Sequence, residues 1–327
     1  MNISKGSKKT LLSGVKPTGR PHIGNYFGAM KQFVDLLNTG EYNCHIMIAD
    51  YHALNFIQNK EEMQNNILDL ALDYIAIGLD PKKCVLFKQS DVSAHTELAW
   101  IFDTITTMPY LMRAHAFKDA EAKDKEISVG TFNYPMLMAS DILLYSADIV
   151  PVGLDQKQHI EYARDTAQKF NNIFGEVFTL PKNLIMESVQ TVPGTDGRKM
   201  SKSYGNTIDL FATDEEIKKA VMSIVTDSGT ADPDGKIPAP QNVRAIHELF
   251  RDKEYLDALY TEKAGKYKDL KEALVLDIQN FIRPMRERRI VLAQNKKKVL
   301  KALEKGSKQA RKVADAKLEQ VKNAIGV

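Results

Sequence analysis

The stretch "SGVKPTGRPHIGN", residues 13–25, decides how this chain is read. It starts in the apolar run "TLLSGV" and passes Gly14, Gly19 and Gly24 into a helical pattern that begins near Pro21. Glycines at a strand-to-helix turn let the backbone approach a ligand closely, and the helix that follows aims its free amides and positive dipole end at the same place. Those are the requirements of a phosphate. The spacing is neither G-x-G-x-x-G nor G-x-x-x-x-G-K-[ST], so a dinucleotide fingerprint and a P-loop are both disfavoured. From these residues alone, a turn shaped only by packing stays open.

Outward from the turn, "CHIMIAD", "VLFKQS" and "DIVPVG" repeat the short apolar run, with amphipathic stretches between them. "IGNYFGAMKQFVDLLN" sets Tyr26, Met30, Phe33, Val34 and Leu37 at helical spacing, and "KEEMQNNILDLALDYIAIGLDP" closes on Gly78 and Pro81. Alternation of this kind predicts parallel βαβ units, with a sheet covered by helices on both faces. Past residue 206 the strand signal fades. "DEEIKKAVMSIV", "AIHELFRDKEYLDALY", "DLKEALVLDIQNFI" and a lysine-rich end read as helices, broken by a Gly/Pro/Asp loop near 226–242. No internal repeat or low-complexity tract is evident. The expected class is α/β: a Rossmann-like parallel sheet over 1–206, with an inserted segment at about 90–130, then a helical region over 207–327.

The chain has 327 residues, 43% hydrophobic, with no apolar run approaching 18 residues and no leader-like hydrophobic stretch near the start. An intracellular, cytoplasmic protein without a membrane partner is expected. Cys44 and Cys84 lie in strand-like segments and read as reduced core thiols, not as a disulfide or a zinc site. The net charge of +3 conceals an asymmetry: residues 283–327 hold 14 Lys and Arg against 4 Asp and Glu, and the preceding part holds 31 against 38. A basic helical end suits either a polyanion surface or a solvated face.

A second stretch, "GRKMSKSYGN" at 197–206, sets two lysines and two serines between glycines. Together with "PHIGN" it resembles the paired HIGH and KMSKS signatures of class I aminoacyl-tRNA synthetases. His22, Ile23 and Gly24 match three positions of the first, with Asn25 replacing its last histidine, and residues 199–203 match the second throughout. "YNCHIMIADYHAL", "FNYPMLMASDILLYSADIVPVGLDQKQHIEYARD" and "FIRPMRER" narrow the resemblance to the tryptophanyl-tRNA synthetases, with the tyrosyl enzymes as nearest rival.

That resemblance implies ATP-dependent activation of L-tryptophan and its transfer to tRNA(Trp). It gives His22, Lys199 and Lys202 the chemistry. It places Lys16, Pro17, Thr18, Gly24, Asn25, Gly153, Leu154, Asp155, Met200, Ser201 and Ser203 around ATP. An indole needs apolar walls and one acceptor for its N–H. Tyr134, Met138 and Asp141 share one helix face at i, i+4 and i+7. The resemblance puts Asp141 on the indole nitrogen and Met138 on the ring, where tyrosine-specific relatives carry glutamine. Val150, Val152, Gln156 and His52 complete the expected amino-acid site, while His159 reads as structural.

Mg²⁺ is expected to travel with ATP, without a dedicated protein site. A homodimer is carried over from the family, and "WIFDTITTMPYLM" at 100–112 suits either its interface or plain burial within one subunit; DNA is not an expected partner. Lys16 departs from a glutamine common among bacterial relatives and is expected to meet ATP or the substrate carboxylate. No Ser/His/Asp arrangement or HExxH motif competes with this reading. A catalytically silent tRNA-binding relative and a small-molecule nucleotidyltransferase are the alternatives from other classes.

Overall fold

A computed structural model describes residues 8–122, 126–152, 157–185, 192–226 and 240–327. Five strands form one all-parallel sheet: β1 (Lys9–Val15), β2 (Tyr42–Ile48), β3 (Val85–Lys88), β4 (Ile149–Val152) and β5 (Lys182–Ile185), in the order β3-β2-β1-β4-β5. The order reverses beside β1. In open parallel sheets the carboxyl ends at such a reversal form the ligand crevice.

The central strands are apolar on both faces because helices cover both. Leu11 and Leu12 of β1 are buried, and Cys44 to Ile48 of β2 show the same unbroken burial. β1 and β2 pair in register from Lys9↔Tyr42 to Val15↔Ile48. Near their carboxyl ends Gly14 faces Met47, where a side chain would bring a Cβ within 2.9 Å of the Met47 carbonyl. Glycine is required there for strand spacing, whatever its use to a ligand.

The expected helices follow with local causes. Lys60–Ile77 starts on Asn59, whose side chain accepts the Glu62 amide hydrogen at 3.0 Å, and stops at Gly78 in the left-handed region. The stretch after His22 differs from the one helix that its spacing predicts. It is instead Ile23–Asn25, a π-helical turn Tyr26–Met30, then Lys31–Thr39. A π-turn of this kind often marks a functional site. The run at 100–112 divides as well, into Ala94–Ile105 and Met108–Leu111, with Pro109 in the first turn of the second helix.

Contacts divide the chain into two compact units, and not at residue 206. The first comprises Met1–Gly19, Phe33–Glu187 and Asn295–Val327; the second, Arg20–Gln32 and Ser188–Gln294. The basic last helix, Lys296–Ile325, therefore belongs with the sheet, packed on β3 and on Ala94–Ile105. Its buried stripe, which includes Val299, Leu303, Ala310, Ala314, Leu318 and Val321, sets it there. Gly306 allows the close approach, since a Cβ on it would lie 1.9 Å from the Leu86 carbonyl oxygen. Ser307 donates to Asp91 at 2.8 Å, and Arg311 donates to the Asp91 carbonyl.

The core of the first unit centres on Phe102, fully buried against Phe170 and Phe178 with centroids 6.3 and 5.5 Å away. Truncating such a ring costs about 3–5 kcal/mol.

The second unit is helical apart from its loops: Asp214–Met222, Gln241–His247, Lys253–Glu262 and Tyr267–Gln294. Its buried polar centre is Asp277, which accepts two hydrogen bonds from Arg251 at 2.9 and 2.6 Å and one from His247 at 2.9 Å. Among the described residues, no helix is long and apolar enough to cross a membrane.

Candidate active site

In the second unit the two signature segments meet. Ile23 donates its backbone hydrogen to the Ile208 carbonyl and Leu210 to that of Pro21, both at 2.9 Å, so the first signature is stitched to the chain just past the second. Tyr26, Phe27, Phe250 and Phe281 form an aromatic cluster with centroids 5.1 to 5.7 Å apart, which holds the π-turn on the helices. A Cβ on Gly24 would lie 2.9 Å from His22 Nδ1 and 3.4 Å from Met200 Cβ. The glycine of "PHIGN" is the point of contact with the methionine of "KMSKS".

His22 is buried, and its backbone N–H donates to Asn25 Oδ1 at 3.0 Å while its Nδ1 accepts the Asn25 N–H at 3.2 Å. This reciprocal capping box gives Asn25 a structural role at the position where the signature has histidine. It also fixes the tautomer: Nδ1 is an acceptor, so in the neutral ring the hydrogen sits on Nε2. Burial, with the Lys202 charge second, pulls the imidazole down to about 4. At neutral pH His22 is an uncharged N–H donor.

The lysine loop is anchored from within. Met200 is buried, while Lys199 and Lys202 on either side of it are exposed. The Met200 amide donates to the Val192 carbonyl at 2.9 Å. Asn206, a residue the sequence reading did not single out, is the hub. Its Oδ1 accepts the Ser201 amide hydrogen at 2.8 Å, and its Nδ2 donates to Asp196 at 2.6 Å and to the Lys199 carbonyl at 3.2 Å. Gly197 and Gly205 both have positive φ, +82° and +63°, so the ends of the loop need glycine's freedom. Ser201 and Ser203 bond each other at 2.9 Å.

In the first unit, His52 stands just past the carboxyl end of β2 and Asp141 on the helix Val129–Leu144. His52 Nε2 bonds Asp141 Oδ2 at 2.9 Å, and the His52 ring meets Tyr134 edge-on at 6.1 Å. Tyr134 in turn bonds His159 Nε2 at 3.2 Å, so the buried His159 supports an expected pocket residue. Met138 is half-buried against the core and Val150 is buried in it.

Two further groups complete the Asp141 environment and were missed in the sequence. Gln89, past the end of β3, takes the Tyr51 and His52 amide hydrogens on Oε1 at 3.1 and 3.4 Å, and donates from Nε2 to both Asp141 oxygens at 2.8 and 3.0 Å. His95 Nδ1 lies 2.6 Å from Asp141 Oδ1, and its Nε2 lies 2.9 Å from the Tyr145 hydroxyl. Burial alone raises a carboxyl group; here His95 and His52 outweigh it and hold Asp141 below the ordinary carboxylate range. The site is a buried anion ringed by donors. A glutamine and a histidine immediately past an apolar strand were the available signal.

Lys16 is solvent-exposed, with its ammonium 4.8 Å over the Phe56 ring, and Thr18 donates its backbone hydrogen to the Lys16 carbonyl at 2.9 Å. Pro17 is buried. The expected residues Gly153, Leu154, Asp155 and Gln156 lie outside the described residues, as does the side chain of Val152. A surface depression of about 240 Å³, lined by residues such as Tyr110, Arg113, Asp165 and Lys169, contains none of the expected site residues.

The sequence profile of the class I tRNA synthetases for W and Y matches residues 4–283. The tryptophan–tRNA ligase of Fusobacterium nucleatum is 46% identical over 324 residues, covering 98% of each chain. This chain belongs to the tryptophanyl-tRNA synthetase family. Another tryptophanyl-tRNA synthetase relative, from Rhodopirellula baltica, is 43% identical over 97% of this chain and 99% of its own. The Campylobacter jejuni tryptophanyl-tRNA synthetase, solved in complex with ADP and tryptophan, superposes with a TM-score of 0.88 at 41% identity, covering 97% of this chain and all of that one. A tyrosyl-tRNA synthetase from Archaeoglobus fulgidus, at 22% identity and a TM-score of 0.66, shares the fold alone. The matched span includes both signatures and the helix carrying Tyr134, Met138 and Asp141.

Proposed function

We propose that this chain is a tryptophan–tRNA ligase, which activates L-tryptophan with ATP to tryptophanyl-adenylate and transfers the amino acid to tRNA(Trp). The observation that carries the chemistry is the meeting of the two signatures at Gly24 and Met200, with His22 neutral between them and Lys202. The choice of amino acid is supported by near-full-length identity to tryptophan–tRNA ligases and by methionine at Met138.

In the first step the tryptophan carboxylate attacks the α-phosphorus of ATP and pyrophosphate leaves. Both reactants are anionic, so the protein supplies positioning and positive charge and no nucleophile of its own. Lys199 and Lys202 stabilise the charge that develops on the leaving pyrophosphate, and the His22 Nε2–H donates to a phosphate oxygen. Ser201, Ser203, Met200, Gly24 and Asn25 shape the nucleotide side, as do Lys16, Pro17 and Thr18 of the first loop and residues 153–155. ATP arrives as its Mg²⁺ complex, with the metal held mainly by phosphate oxygens.

Asp141 accepts the indole N–H, Met138 and Tyr134 wall the ring, Val150 and Val152 line the pocket, His52 supports the carboxylate, and Gln156 holds the α-amino group. The region 207–327 takes the tRNA, through phosphate contacts that position it. A homodimer in the cytoplasm completes the reading. Exposure of Trp100, Met108 and Met112, at 70, 67 and 45%, supports an interface on the inserted segment.

Pyrophosphate exchange with each amino acid is the test. Tryptophan-dependent exchange is expected. Exchange with tyrosine and none with tryptophan reverses the specificity, and none with any amino acid returns the chain to a non-catalytic role.

A further inference from the structure

Asp141 is held by side chains from three separate elements, which together reach both of its oxygens. His95 is fully buried, bonded to Asp141 on one ring nitrogen and near the Tyr145 hydroxyl on the other, and stacked on Phe87 at 6.2 Å. We propose that His95, backed by Tyr145, is a positioning residue for amino-acid specificity, which fixes the Asp141 carboxylate in the orientation that accepts the substrate's ring N–H. This rests on Asp141 being that acceptor.

The physical argument starts from the cost of the anion. Burying a carboxylate is expensive by several kcal/mol unless its oxygens are bonded, so this network exists to keep a charge inside. An ionised carboxylate only accepts, hence His95 Nδ1 and His52 Nε2 each donate. Gln89 bonds both oxygens and sets the plane of the group, while His95 at 2.6 Å makes the shortest contact and stops it from rotating. Tyr145 keeps the imidazole from tilting, and burial holds its phenol in the protonated form. With His95 removed, no water reaches Oδ1 to replace the lost donor, and the carboxylate turns toward Gln89 and His52. The ring N–H then meets an acceptor at the wrong angle, whereas a ring without N–H loses nothing specific.

The test compares tryptophan with its benzothiophene analogue, in which sulfur replaces the N–H, by pyrophosphate exchange on the full-length protein. Wild type should prefer tryptophan. His95→Leu should raise the tryptophan KM by about tenfold or more, as expected for loss of a charge-assisted hydrogen bond, leave the ATP KM unchanged and shift the analogue little, so the preference collapses. His95→Asn, which can place an amide N–H near the Nδ1 position, should restore most of it. Tyr145→Phe removes one hydroxyl from the fold and should show the same loss in smaller measure.

Equal losses for both substrates in His95→Leu, or an intact preference in Tyr145→Phe and His95→Leu alike, overturn the positioning role. Asp141→Ala, with an unchanged ATP KM as the check on its fold, separates the two levels. If it leaves the preference intact, the assignment of Asp141 itself fails; if it abolishes the preference while the His95 and Tyr145 variants keep theirs, only the inference about His95 fails.

Discussion

Asn206 Oδ1 receives the Ser201 amide hydrogen at 2.8 Å, so a buried carboxamide five residues downstream ties the lysine loop from its centre. Gly194 leaves the space for it, since a Cβ there would fall 2.2 Å from Asn206 Nδ2. Replacing Asn206 by alanine should cost about 1–3 kcal/mol, the usual consequence of stranding buried partners. Because the loss falls on the loop, pyrophosphate exchange should drop by about tenfold or more. Denaturant titration and exchange assays measured together check both, and an unchanged exchange rate in a destabilised variant would separate the anchor from the chemistry.

The lysines themselves should act on the transition state. Lys199→Ala or Lys202→Ala is expected to slow adenylate formation by about 10²–10³-fold, the scale of losing one preorganised charge or donor, while the KM for tryptophan moves little. Single-turnover measurement of adenylate formation beside equilibrium tryptophan binding tests this; parallel losses in both would reduce the loop to a surface feature.

His22 yields a pH prediction with a definite sign. Its folded value, about 4, lies below the ordinary 6.5. Between the two, the unfolded chain takes up a proton that the folded chain refuses, so stability from this group is complete above 6.5 and is lost as pH falls toward 4. Relative to His22→Gln, wild type should lose stability over that interval, as denaturation midpoints from pH 4 to 7 will show. Activity limited by the neutral ring should carry no His22 limb near 6.5. Removing Lys202 should move the ring upward, because that charge is the second cause of its depression.

Gly306→Ala offers a test confined to the first unit. With the Leu86 carbonyl oxygen 1.9 Å from the new methyl, the last helix has to shift off β3. A loss of about 1–3 kcal/mol is expected, typical of overpacking, and thermal denaturation measures it. Gly326→Ala, which meets nothing within 4 Å, should show only the smaller strain of its positive φ.

Much of this arrangement was legible in the sequence, for identifiable reasons. β1 to β4 announce themselves because strands buried on both faces must be largely apolar. β5, "KNLI", is four residues long and begins with two polar ones, so no pattern marked it. Asp141 and His52 were found because their neighbours carry a family pattern. Gln89 and His95 were not, because the bonds that give them meaning span 52 and 46 residues of chain. Asn206 lies within its motif, yet nothing local in the sequence shows that its side chain turns inward. The placement of the last helix was least readable of all. Its lysines advertise a partner, whereas its packing depends on a glycine and a strand edge some 220 residues earlier.

That last helix sets an order of events during synthesis. β3 is an edge strand, complete as soon as residue 88 has been made, but its cover is Lys296–Ile325, made only after the second unit is complete. Until then an apolar strand edge stands open while residues 89–294 are being translated. A chain cut back to residue 294 leaves that edge bare, however intact the residues of both signatures are. Synthesis of that helix, and not completion of the active-site sequence, is therefore the step at which the first unit can close.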